Sequence, residues 1–225
     1  MFQPTKVNAD LGQKIHQHLM SLGLETPLAP NQFSTMVDDE RVAFIESKMT
    51  DVMLALGLNL TDDSLIDTPK RIAKMFVYEK FWGLKPENFP KCTVIDNKMN
   101  YDEMVTEKNI TVLSDCEHHF VQIDGKAHVS YIPNAKVLGL SKLNRVVEYF
   151  SRRPQVQERL TQQIGEALKY ILGTDDVAVV INAKHYCVIS RGVEDHGSET
   201  VTSYLSGRYR ESPDTRAEFF RTCQG

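Results

Sequence analysis

From about residue 100 the apolar residues of this chain stop recurring every three or four positions and begin to alternate with polar ones. A helix shows the first spacing and a half-buried strand the second. The change divides the chain into a helical region, residues 1–99, and a region of mixed strands and helices, residues 100–225, and makes the fold α+β.

Upstream of the change, Leu11, Ile15, Leu19 and Leu22 form one helical stripe that closes at Gly23. A loop with Pro27 and Pro30 follows. Asp38 is predicted to cap a second helix with Val42, Ile45, Met49, Val52, Met53 and Leu56 inward, ending at Gly57. Thr68-Pro69 predicts a third, with Thr68 at the N-cap, ending near Gly83. On it Lys70, Arg71 and Lys74 make a basic ridge, which spacing alone does not separate from a solvated charged face.

Downstream, Ile110, Val112 and Ser114 alternate with Thr111, Leu113 and Asp115 as in a strand with one buried face. Residues 120–133 are again strand-like, interrupted by Asp124-Gly125, either a hairpin turn or a bulge. Ser141 is predicted to cap a helix that buries Leu143, Val146, Val147 and Phe150. Lys142 and Arg145 sit off that stripe near the helix start, where exposed N–H groups favour an anion; a solvated face is the competing reading. Pro154 is predicted to open a longer helix with Val156, Leu160, Ile164, Leu168 and Ile171 inward, ending at Gly173. Glu158 on it has the spacing of an ordinary surface glutamate. The tail reads as a strand over 200–205, a turn at Gly207, and a helix after Ser212-Pro213 with Phe219 and Phe220 inward.

Two stretches carry chemistry. In Ser114-Asp115-Cys116-Glu117-His118-His119, the Cys116 and His119 pair offers a thiol and an imidazole. Residues 177–191 read as one strand, with His185, Cys187 and Arg191 sharing a face and His185 about 6.6 Å from Cys187. Cys116, His119 and Cys187 together suit zinc, and three protein ligands leave a fourth position open, as catalytic sites do. His118 and His185 stand beside them as candidate proton carriers. The long gap between His119 and Cys187 excludes a zinc finger. The zinc-deaminase signature is absent, and Gly125-Lys126-Ala127 lacks the rest of a P-loop.

A net charge of −4 argues against general nucleic-acid binding, so any anion site must be a local cluster of cations. No run of 18 apolar residues spans a membrane, and the first residues lack the apolar core of a signal peptide. A cytoplasmic location is expected, with thiols reduced and Cys92 and Cys223 as bystanders.

Four motifs in order then carry a resemblance: Cys116-Glu117-His118-His119, Gly139-Leu140-Ser141-Lys142-Leu143-Asn144-Arg145, Arg153-Pro154-Gln155-Val156-Gln157-Glu158-Arg159-Leu160, and His185-x-Cys187-x-x-x-Arg191-Gly192. Together they resemble the signatures of GTP cyclohydrolase I of the zinc-dependent type, over about residues 24–220, and Thr68-Pro69-x-Arg71-Ile72-Ala73-Lys74-Met75 resembles the family's N-terminal helix. The tail departs at Gly207-Arg208-Tyr209, where the family has an apolar residue and Phe after the glycine.

The resemblance implies a tunnel fold, in which antiparallel sheets and paired helices close into a barrel on oligomerisation. It implies a homodecamer with active sites between subunits, one zinc per subunit, and conversion of GTP to 7,8-dihydroneopterin triphosphate and formate at the entry to folate and pterin synthesis. By similarity Cys116, His119 and Cys187 hold zinc, His185 and His118 move protons, and Ser141 and His185 serve the later rearrangement. Glu158, supported by Gln157, reads the guanine edge. Lys74, Ser141, Lys142, Arg145 and Arg191 contact the triphosphate. A synthase with three His ligands, a nitrile reductase with a nucleophilic Cys, and a non-catalytic GTP-binding protein are the rivals. The mixed ligand set disfavours the first two, and the presence of both His118 and His185 disfavours the third.

Overall fold

A computed structural model describes residues 6–29 and 36–224. Pro30 of the expected loop and the first five residues lie outside them. In chain order the elements are α1 (Ala9–Ser21), α2 (Asp38–Ala55), α3 (Thr68–Lys74), β1 (Val94–Asp96), β2 (Val105–Cys116), β3 (Gln122–Tyr131), β4 (Lys136–Leu138), α4 (Leu140–Ser151), β5 (Pro154–Gln155), α5 (Gln157–Leu172), β6 (Val177–His185), α6 (Tyr186–Ile189), β7 (Thr200–Leu205), α7 (Arg208–Glu211) and α8 (Pro213–Gln224).

The chain forms two compact units, one within Thr26–Trp82 and the other from residues 6–25 with 83–224. The division therefore does not fall at residue 99. Helix α1 belongs with the sheet, tethered by a Val7–Pro90 bridge and a bond from Asn8 N to Phe89 O (2.8 Å).

In the smaller unit, Val42, Ala73 and Val77 form a core with Ile45 and Tyr78 against it. The predicted α2 stripe is only partly inward: Val42 and Met53 are buried, whereas Val52 and Leu56 are exposed. The caps differ by one residue from expectation. Val37 precedes α2 and its N–H is bound by Glu40 Oε2 (3.2 Å), a local contact that competes with an Asp38 cap. Asp67, not Thr68, is the N-cap of α3, which runs on as a π-helical turn over Met75–Lys80 instead of remaining α-helical to Gly83.

The larger unit is built on a mixed five-stranded sheet in the order β5-β2-β3-β6-β7, with β1 and β4 pairing separately. Only β2 and β5 run parallel. One face carries Ile110, Val112 and Ser114, then Ile123, Ala127, Val129 and Tyr131, then Val177, Val179, Ile181 and Ala183. All of these are buried, under α4 and α5. At one end of the sheet, Ile132, Ala178 and Val180 are covered by Tyr209 of α7 and Phe219 of α8.

Asp124-Gly125 is neither a turn nor a bulge. Both lie inside the uninterrupted β3, between Leu113/Val112 on one side and Lys184/Ala183 on the other. Gly125 is needed because a Cβ there would stand 2.3 Å from Asn182 O. The irregularity in the pairing lies instead between Glu107 and Ile110.

The helix that buries Leu143, Val146, Val147 and Phe150 forms as predicted, but Gly139 is its N-cap and Ser141 its second residue. Pro154 opens no helix. It enters β5 alongside Asp115, and α5 begins at Gln157 after Val156 in extended conformation. The end of α5 at a left-handed Gly173 is as expected.

Candidate metal centre and nucleotide site

Strand β2 ends at Cys116 because the chain reverses over residues 117–121 to reach β3. Cys116 O accepts from His119 N (3.3 Å) and Phe120 N (2.8 Å), and Cys116 N donates to Val121 O (2.8 Å). Closing this turn puts Phe120 at φ +52°, a left-handed conformation that costs a non-glycine residue about 1–2 kcal/mol.

A polar brace holds the turn to α5. Glu117 N donates to Gln155 O (3.0 Å), the Glu117 carboxylate pairs with Arg159, and Arg159 Nε reaches Gln155 Oε1 (3.3 Å). Gln155 in turn donates to Phe150 O and Gln163 Oε1. Sequence reasoning missed this brace. Its members sit inside the quoted motifs, but nothing in their spacing pairs a glutamate of one with an arginine of another.

The stretch over residues 177–191 departs from expectation. It is not one strand: β6 stops at His185, its last partner being Ile123. Beyond it β3 has turned away and β7 has already ended its pairing at Ala183, so the backbone takes up its own hydrogen bonds as the helical turn α6. Ser190 N and Oγ both donate to Tyr186 O. Cys187 and Arg191 therefore do not share a strand face with His185. The helical turn, not strand alternation, brings the Cys187 thiol back to Cys116.

One donor atom each from Cys116, His119 and Cys187 lie within 4.8 Å of one another, and Cys116 Sγ is 4.0 Å from His119 Nδ1. Tetrahedral zinc with two sulfurs and one nitrogen sets donor separations of about 3.5–3.8 Å. The donor set and spacing fit zinc with a modest closing movement. Cys116 is buried and His119 exposed, so the group opens on one side. Burial first, and then the neighbouring Cys116, push the Cys187 thiol up from its ordinary value.

Around these donors stand the other chemical groups. His118 Nδ1 lies 3.7 Å from Cys116 Sγ. Arg191 Nη1 donates to His119 Nε2 (2.8 Å). His185 is half-buried, and burial lowers its pKa while the nearby Glu158 acts in the opposite direction. Glu158 is exposed on the first turn of α5. Gln157, expected to support Glu158, is buried and bonds His185 Nε2 through Oε1 (2.7 Å).

Ser141, Lys142 and Arg145 are not among them. Leu138 N binds Tyr131 Oη just before α4, so α4 starts at the Tyr131 end of the sheet. Tyr131 and Ile123, the latter paired with His185, are separated by about 27 Å of strand. Helix α4 then runs back toward Ser114, whose hydroxyl donates to Arg153 O. Its basic first turn is left at the far end from the thiols. Lys142 and Arg145 do act on Cys92, but its burial dominates and pushes that thiol up to about 12, as befits an inert residue. Lys74 belongs to the smaller unit.

Residues 45–224 match the family model for GTP cyclohydrolase I. The chain is 57% identical over 211 residues to a GTP cyclohydrolase 1 of Vibrio vulnificus strain YJ016, covering 94% of this chain and 96% of that protein. It is 56% identical over 210 residues to a GTP cyclohydrolase 1 of Enterobacter sp. strain 638, covering 93% and 94%. The chain belongs to the GTP cyclohydrolase I family. It is an enzyme of this type, and the matched span contains the Cys116–Cys187 centre, both flanking histidines and the basic turn of α4. Among the described residues no helix is long and apolar enough to cross a membrane.

Proposed function

We propose that this protein hydrolyses the guanine imidazole ring of GTP, releases C8 as formate and recloses the product as 7,8-dihydroneopterin triphosphate. The observation that carries the reading is the Cys116/His119/Cys187 donor group with His185 and Glu158 next to it. Cys116, His119 and Cys187 would hold one zinc. When bound, zinc supplies Lewis acidity, making water a nucleophile near neutral pH as its pKa falls from 15.7 to about 7. His185 gives a proton to N7 as C8 is attacked, and His118, beside Cys116, moves the proton lost by water. Glu158 accepts from guanine N1–H and the 2-amino group, a pair of donors that adenine lacks. Losing such a charge-assisted bond costs about 1.5–3 kcal/mol. Arg191 lies on the metal side of the site and serves the triphosphate.

The far position of Ser141, Lys142 and Arg145 supports a site shared between copies. From C8 to the γ-phosphorus of GTP is eleven bonds, at most about 17 Å, so the base and phosphates at one chain's centre draw on the basic turn of another copy. That is the arrangement of a tunnel-fold homodecamer, in which subunit sheets close a barrel. Lys74 joins the phosphate contacts in the same assembly, and Ser141 and His185 assist the rearrangement that precedes ring closure. The reaction is the first committed chemistry of folate and pterin synthesis, in the cytoplasm. Incubating zinc-loaded protein with GTP and measuring formate and the fluorescent oxidised pterin tests the reading. With one zinc per chain verified, absence of both products would overturn it.

A further inference from the structure

Gln157 is the first residue of α5, 1% exposed, and its amide has no freedom of orientation. Nε2 lies 3.1 Å from Ile181 O and 2.9 Å from Thr200 O, two carbonyls that only accept. Turning the amide over would press a carbonyl oxygen against both. A third neighbour agrees. Thr161 Oγ1 donates to Gln157 O (2.8 Å), so the hydrogen between Thr161 and Thr202 (2.6 Å) comes from Thr202, and Thr202 Oγ1 keeps a lone pair toward Gln157 Nε2 (3.1 Å). The group facing His185 Nε2 at 2.7 Å is therefore Gln157 Oε1, an acceptor, and that ring nitrogen must carry a hydrogen.

We propose that Gln157 is a positioning residue that fixes His185 with its hydrogen on Nε2, leaving Nδ1 as the nitrogen that exchanges a proton with the substrate. This rests on the hydrolase reading above. In that reaction, doubly protonated His185 releases the Nδ1 proton while the C8–N7 π pair becomes the new N7–H bond. The oxygen of water bonds to C8, and the second proton of the balance leaves that water toward His118. The ring is left neutral with its hydrogen still on Nε2. Because the Nε2–H bond to Gln157 exists before and after transfer, the amide orients the ring without opposing the proton's movement. Gln157 thus serves the acid and has no hydrogen left for the guanine edge.

The test is the ring itself. Nitrogen-15 histidine labelling of the zinc-loaded protein, with His185 assigned by loss of its signals in His185→Ala, should show a protonated Nε2 and an unprotonated Nδ1 at a pH where the ring is neutral. A hydrogen on Nδ1 would overturn the proposal, whether or not any variant folds and whether or not GTP is turned over. A failure of the hydrolase reading shows separately, as absence of formate from the unmodified protein. Gln157→Leu should keep one zinc per chain, populate both tautomers, and lower kcat on the order of 10²-fold, the cost of a misplaced reacting group, with KM for GTP within about threefold. Retention of the single Nε2–H form, or a raised KM at unchanged kcat, would show that Gln157 does not act through His185.

Discussion

The two ends of the sheet are built on opposite principles. At the Cys116 end the groups around the thiols are braced by other protein groups: the reverse turn by Glu117 and Arg159, His185 by Gln157, His119 by Arg191. At the Tyr131 end the basic turn of α4 offers Lys142 and Arg145, half-buried, beside a helix start whose cap uses no side chain. In the function proposed above, the difference is what each end must do. Bond breaking at C8 needs atoms placed before the substrate arrives. A flexible triphosphate is held by charge, which tolerates looser placement and can come from a second copy.

The sharpest way to break this comparison is to remove one member from the fixed end. Cys187→Ser should lose both zinc and turnover, whereas His185→Ala should keep one zinc per chain and lose about 10²–10⁴ in kcat. Metal analysis beside product assay separates the two, and zinc lost from His185→Ala would make His185 a ligand. The next effect tests the other end. Lys142→Glu with Arg145→Glu should be nearly inactive alone, and so should Cys187→Ser. Reassembled together they should recover a substantial fraction of activity if each site takes its thiols and its cations from different copies. Absence of recovery in verified mixed assemblies would place both sets on one chain.

Smaller still, Glu158→Ala should narrow the preference for GTP over ATP by about one to two decades, read from competition between the two nucleotides. An unchanged preference would remove Glu158 from base recognition. The smallest effect lies outside the site. His128 sits on β3 with Nδ1 buried and unpartnered, and burial, helped by Lys108, lowers its pKa from the ordinary 6.5. The unfolded chain therefore takes up the proton first. Stability from neutral His128 is fully present above the unfolded value and drains away as pH falls through the folded one. Thermal midpoints at pH 7.5 and 5.5 should draw closer together in His128→Asn than in the parent. An equal gap would mean that His128 carries none of the slope.

Much of this was legible beforehand where one residue's chemistry or a local period suffices. The alternation of Ile110, Val112 and Ser114, the buried stripe of α4 and the left-handed stop at Gly173 all follow from the chain's own neighbours. The donor set Cys116, His119 and Cys187 was likewise readable, because few other uses bring those three types together in reduced thiol chemistry. The expected strand through Cys187 failed for a physical reason: alternation describes side chains only while a neighbouring strand supplies hydrogen bonds, and after His185 there is none on either side.

The sequence by itself therefore determined most of the elements, the donor types Cys116, His119 and Cys187, and the family. Tertiary structure decided the rest: that Asp124-Gly125 continues a strand, that a helical turn returns Cys187 to Cys116, that Gln157 faces a histidine, and that the basic turn of α4 lies at the wrong end of its own chain's sheet. Each of these depends on which segments become neighbours across long stretches of chain. Hydrogen-bond donors and acceptors distant in sequence must be matched in space, and local spacing carries no record of that matching.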